Sequence, residues 1–326
     1  MTGKELLDKI GEANPELVEA AGQKSVGNRR KKWVAMAACF CVVAAGIGIT
    51  SSLLSRYPFN TNGIPIPAMS TEGLDNPMAS MIPLVVYQDR VYTWAESYII
   101  NVNNDGTIQP YDGIDGEKFA QIESLRGEYI GKARGNISEY SNRQEYEKDL
   151  ASTLGGAEIY TVQGYSPLFR LCACWETLGD NGDTEKNIMF LENLNGIFLE
   201  TGKDLLEDRL KIPGRWTKVE YQTDLGGGVK DGEYQTLEGV SSQQIDEFIS
   251  DVCRSPFIDV KEEGWESSID FFEECETLAY IRFTLEDGTR IGFQMIEGGY
   301  LWYYGLDEYP IKVDSELFST ILQAFS

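Results

Sequence analysis

The chain has 326 residues, 42% of them hydrophobic and 25% charged, the composition of a folded protein. Its charge is segregated: residues 1–32 carry seven Lys or Arg and five acids, net +2, whereas the remainder is net −26, which excludes a nucleic-acid reader because phosphate binding needs clustered bases. There is no histidine, which excludes Ser/His/Asp and Cys/His nucleophile systems, His-containing zinc sites and an imidazole pH switch.

Residues 1–22 contain two short helices. Thr2 with Glu5 forms a capping box ahead of Leu6, Leu7 and Ile10, and Gly11 closes that helix; Asn14 caps a second, with Pro15 at its first position, Leu17, Val18 and Ala21 on one face and Gly22 after it. So short a hairpin cannot bury its own apolar face. It is either a weakly ordered tail or a docking segment that binds a cytoplasmic partner through Leu6, Leu7, Ile10, Leu17 and Val18. Five acids against two lysines in residues 1–22 favour a basic protein over a membrane surface as that partner.

Trp33 to Leu54 follows as 22 residues without a charge, directly behind Arg29, Arg30, Lys31 and Lys32. As a helix it is about 33 Å long, enough for the hydrocarbon core of a bilayer. The basic flank keeps the N-terminus in the cytoplasm and sends the C-terminal bulk across the membrane, with Trp33 and Tyr57 at the two interfaces. A cleaved signal peptide is the competing reading, but it needs a shorter charged region than these 32 residues. Met36-Ala37-Ala38-Cys39, resembling a lipoprotein cleavage box, leaves only six residues between Lys32 and Cys39, too few for an apolar segment. The small residues Ala44, Gly46, Gly48 and Thr50 would let two spans approach closely.

Residues 55–82, rich in Pro, Asn, Gly and Ser, read as a flexible linker. Beyond it the chain predicts an α+β extracytoplasmic domain of antiparallel hairpins with packed helices, divided into subdomains 83–212 and 213–326. In the first, LVVYQDRVYTW (84–94) is a hairpin around Gln88-Asp89. SYIINVNNDGTIQPY (97–111) is a second hairpin with Asn104-Asp105-Gly106 at its tip, which explains the same letters as a partial calcium loop does. A short helix at 116–126, a strand at 127–133, a hairpin over 159–175, a strand at 187–195 and a helix at 202–210 complete it. Strand alternation puts Phe169, Leu171 and Trp175 on one face, and Leu168, Arg170, Cys172 and Cys174 on the other. Cys172 and Cys174 are either buried thiols or a two-ligand start of a metal site; no metal or other cofactor is expected.

In the second subdomain, strands at 216–222 and 233–238 flank Gly226-Gly227-Gly228. Ser241 with Gln244 caps a helix whose Ile245, Phe248, Ile249 and Val252 follow the i, i+3, i+4, i+7 rule. The acidic run Glu262, Glu263, Glu266, Asp270, Glu273, Glu274 and Glu276 reads as a solvated loop. Ala279, Ile281, Phe283 and Leu285 then alternate inward, Ile291, Phe293 and Met295 return, YLWYYG forms a third strand, and a helix carries Phe318, Ile321, Leu322 and Phe325. This β-β-β-α order, with a similar order at 158–210, suggests a repeat. Its second face bears Tyr280, Arg282, Tyr300, Trp302 and Tyr304, which form a recognition surface if open and part of the core if another layer covers them.

The string KELLDKIGEANPELVEAA, the basic run and the span WVAMAACFCVVAAG resemble the N-terminal region of single-pass clostridial membrane proteins encoded beside extracytoplasmic-function sigma factors; VVYQDRVYTW, LRGEYIGKARGNISEY, AEIYTVQGYSPLFRLC and YQTLEGVSSQQIDEFI are similar to their outer parts. The resemblance implies an anti-sigma-like regulator with a sigma factor as cytoplasmic partner. The sequence departs from the zinc-containing anti-sigma pattern in having no His and no Cys-x-x-Cys. A membrane-anchored binding module for peptide, glycan or cell wall is the alternative. No pair of acids stands out as catalytic, so a non-enzymatic role is expected.

Overall fold

The computed structural model describes residues 62–69, 82–138, 146, 148–179, 182–223, 234–314 and 316–325. The expected helices of residues 1–22, with Leu6, Leu7, Ile10, Leu17 and Val18, and the span 33–54 lie outside the described residues. Among the described residues no helix is long and apolar enough to cross a membrane.

Among the described residues, alternating apolar residues build two large antiparallel sheets, beside a small two-stranded one. The first has seven strands: β2 (Leu84–Tyr87), β3 (Arg90–Val102), β8 (Thr184–Glu192), β7 (Arg170–Leu178), β6 (Glu158–Val162) and β5 (Arg126–Lys132) in that spatial order, with β4 (Ile108–Pro110) hairpinned onto β3. Gln88 and Asp89 join β2 to β3 with φ of 50° and 58°, the left-handed pair of a type I′ turn, and Asp149 Oδ1 accepts from the Gln88 N–H at 2.8 Å to hold it. The Asn103–Thr107 hairpin tip also forms as expected, Asp105 Oδ1 accepting from the Thr107 N–H. Helix α1 (Gly116–Glu123) is capped by Asp115 and buries Phe119 and Ile122.

The second sheet has six strands, in the order β11 (Gln235–Thr236), β10 (Trp216–Gln222), β12 (Thr277–Leu285), β13 (Arg290–Ile296), β14 (Tyr300–Trp302) and β15 (Ile311–Lys312). Along β12 the expected alternation holds, with Ala279, Ile281, Phe283 and Leu285 all buried. Helix α3 (Ser242–Arg254) carries the Ser241–Gln244 capping box and buries Ile245, Phe248, Ile249 and Val252; α5 (Glu316–Gln323) buries Phe318 and Ile321. Helix α2 (Gly202–Leu206) packs on α3. The fold is thus mixed α+β, mostly antiparallel sheet with few helices.

Four expectations change. The segment within 55–82 that the structure describes is docked, not free: β1 (Ile64–Ile66) pairs with β9 (Ile197–Leu199), Ile66 is buried, and Pro65 is tolerated because a two-stranded sheet has only edges. The acidic run is not all loop, since Ser268–Glu274 forms helix α4, capped by Ser267, with Phe271 fully buried. Phe169 precedes β7, escapes its alternation, and joins the cluster of Cys172 and Cys174 instead of that of Leu171. Finally, residue 213 separates the two sheets but not two cores. Tyr98, Phe169 and Phe190 share one apolar cluster with Leu205, Phe248, Ile281, Phe293 and Ile321, and the chain from Tyr57 to Ser326 is one compact unit. Of the suggested repeat, three-stranded meanders are common to both sheets, but β8 is flanked by β3 where β14 is flanked by β15.

Candidate functional site

Strands β12 and β14 carry four residues of the expected recognition face, with Tyr304 in the turn after β14, and the register sets Gln222, Tyr280, Gln294 and Trp302 in a row across four strands. The face is not open along its length. Tyr300 and Trp302 are each 8% exposed beneath α4 and the loop before it. Phe271 meets the Tyr300 ring edge-on at 5.2 Å, Phe272 meets Trp302 at 5.3 Å, and Trp265 lies 6.1 Å from Tyr300. These rings form a side core with Val260 and Ile296. Tyr304 is exposed, edge-on to Trp94 at 5.0 Å, and Tyr280 is half-buried.

Arg282 belongs to a different environment. Its guanidinium lies 3.6 Å from the centre of the Tyr234 ring and donates to Glu220 Oε2 at 3.1 Å. Glu220 also accepts from Lys218 at 2.7 Å. Next to it, Arg290 donates to Glu96 at 2.7 Å and to Asp112 at 2.6 Å, its N–H donates to the Tyr98 hydroxyl, and Arg282 Nη1 lies 3.9 Å from the same Asp112 carboxylate. The cluster draws on both sheets and on the loop before α1. It lines a cavity of about 350 Å³ whose wall includes Asp112, Lys118, Lys218, Glu220, Arg282 and Arg290. Burial pushes the Glu96 carboxyl up despite Arg290 beside it, while at Glu220 burial is outweighed by Lys218 and Arg282, which hold that carboxyl down. Arg290 is 9% exposed, and its Nε has no hydrogen-bond partner among the described residues. The guanidinium and carboxylate groups of this wall are paired with one another across the cavity's rim.

A second buried pair couples the sheets. Arg170 on β7 faces Glu192 on β8, bonding Oε1 through both Nε and Nη2, and Oε2 of Glu192 accepts from the Tyr303 hydroxyl at 2.8 Å. The Arg170 guanidinium rests 4.3 Å from the Tyr165 ring centre, and Tyr165 in turn reaches Asp287 at 3.1 Å. This is a structural rivet that leaves no room for a ligand, since both charged side chains are at most 3% exposed. Cys172, Cys174, Cys253 and Cys275 are free thiols.

Sequence reasoning found Arg282 but not Glu96, Asp112, Glu220 or Arg290. The available signal was a lone charge inside an aromatic or aliphatic strand, as at Glu96 within VYTWAESYII. Comparison with protein-family models, curated proteins and solved structures finds no match to this chain.

Proposed function

We propose that the protein is a single-pass membrane regulator of the anti-sigma type: residues 33–54 span the cell membrane, residues 1–22 hold a cytoplasmic sigma factor through Leu6, Leu7, Ile10, Leu17 and Val18, and the unit from Tyr57 onward senses an envelope signal. The observation that carries this reading is the charge-free stretch from Trp33 to Leu54 directly behind four consecutive bases, with a net +2 segment on one side and most of the acidic charge on the other. The full chain, solubilised from membranes, is expected to capture the sigma factor encoded beside it, and Leu6→Asp with Leu17→Asp is expected to abolish that capture. No capture, or capture indifferent to the double substitution, refutes the reading.

The cavity at Arg282 and Arg290 favours a second reading, a membrane-anchored module for peptide, glycan or cell wall whose N-terminal tail is incidental. It predicts that removing residues 2–22 leaves transcription unchanged while Arg290→Met abolishes retention on cell-wall fragments.

A further inference from the structure

Strand β7 brings two of the six cysteines together on the face that meets α1. Their register is fixed from both sides: Cys172 lies opposite Tyr160 and Phe190, Cys174 opposite Glu158 and Ile188. The two sulfurs are 3.4 Å apart, in thiol–thiol contact. They differ in access. Cys172 is 1% exposed, whereas Cys174 is 9% exposed and lines a cavity of about 490 Å³. The charged side chains of that wall are Arg126, Lys132 and Lys186 together with Glu123, Glu158 and Glu176. Arg126 is oriented by Glu123 at 2.8 Å and by the Tyr160 ring, whose centre is 5.5 Å away.

From this geometry we infer that Cys174 and Cys172 form a thiol–disulfide exchange site for a small zwitterionic disulfide of the amino-acid or short-peptide class, Cys174 attacking and Cys172 resolving. The mixed-sign wall suits a molecule that carries both carboxylate and ammonium groups. The Cys174 thiolate displaces one half of the substrate disulfide, giving a Cys174 mixed disulfide and one free thiolate. The Cys172 thiol then gives its proton to a departing thiolate and attacks the Cys174 sulfur, forming a Cys172–Cys174 bridge and releasing the second half. Two thiols of the protein are oxidised and one substrate disulfide is reduced to two thiols; the proton that Cys174 gives to solvent on forming its thiolate is taken up again by one released thiolate, and the Cys172 proton goes to the other.

The division of roles follows from the surroundings. The hydrogen bond between the two thiols, reinforced by Arg126, outweighs burial to hold the Cys174 thiol below the usual range, while the same hydrogen bond and burial hold Cys172 above it. Burial pushes the Cys253 thiol up to about 11, so it is a poor competitor. The site depends on neither the membrane topology nor the sigma factor.

The test incubates the reduced full chain with oxidised glutathione at neutral pH, quenches it, and maps cysteine-containing peptides by mass. The wild type is expected to end with a Cys172–Cys174 bridge, Cys172→Ser with glutathione retained on Cys174, and Cys174→Ser with Cys172 unmodified. Arg126→Gln is expected to slow the first step roughly threefold, since without the guanidinium the Cys174 thiolate fraction falls by more than the gain in nucleophilicity restores. Wild-type mapping alone can overturn the inference, by showing a lasting adduct on Cys174, or modification of Cys253 or Cys275 with the pair untouched. Equal labelling of Cys172 in Cys174→Ser, or an unchanged rate in Arg126→Gln, also contradicts it.

Discussion

Arg170 and Glu192 show how single charges organise this molecule. Each sits in an apolar strand, and each is tolerated because the cross-strand register pairs them and the Tyr303 hydroxyl satisfies the second carboxylate oxygen, while Arg170 Nη1 has no hydrogen-bond partner among the described residues. Arg170→Met leaves a buried carboxylate and is expected to cost about 3–5 kcal/mol in denaturant unfolding, with Arg170→Met/Glu192→Leu recovering a large part of it. Asp287 gives the pH dependence. Burial alone would raise its carboxyl, but Thr289 and Arg215 hold it below the usual range, and Glu220 is held down similarly by Lys218 and Arg282. A depressed carboxyl contributes stability that is present above its unfolded value, near about 4, and is lost as pH falls through the folded value. Unfolding midpoints should therefore drop below about pH 4, and Asp287→Asn should flatten that drop. These partners were hidden in the sequence because Glu96 and Arg290 meet across 194 positions, and only the two sheets bring them within 2.7 Å.

At the scale of elements, local rules succeeded where an element is amphipathic on its own. The α3 helix was legible because Ser241, Gln244 and its four apolar positions agree with one another. Ser241→Ala is expected to lower stability by about 1 kcal/mol. Helix α4 was illegible because acids surround Phe271 and its buried side is set by Tyr300 and Trp302, which lie beyond it in sequence. Phe271→Ala should cost about 3–5 kcal/mol and red-shift the fluorescence of Trp302 as water reaches its ring. An unshifted spectrum would mean that α4 does not cover that face. Gly202, by contrast, is required by packing: a Cβ there would lie 2.1 Å from the Val252 carbonyl oxygen of α3, so Gly202→Ala must push α2 and α3 apart and should cost about 1–3 kcal/mol. The β1 segment reads as linker in the sequence because three residues hold too little hydrophobic period to be recognised without β9.

For the whole molecule, the docking of β1 leaves residues 55–61 as the connection between the proposed span and the first described residue of the folded unit. The α+β class and most hairpins could be read from the sequence, whereas the shared core could not, because it depends on how two sheets of separate sequence meet. The proposed function rests on the proposed topology. The most direct test places one epitope tag at each terminus and probes intact spheroplasts with an impermeant antibody after carbonate washing. The account predicts that the chain stays in the membrane fraction, that the C-terminal tag is detected on intact spheroplasts, and that the N-terminal tag is detected only after permeabilisation. Release by carbonate, or a C-terminal tag that also requires permeabilisation, would contradict it.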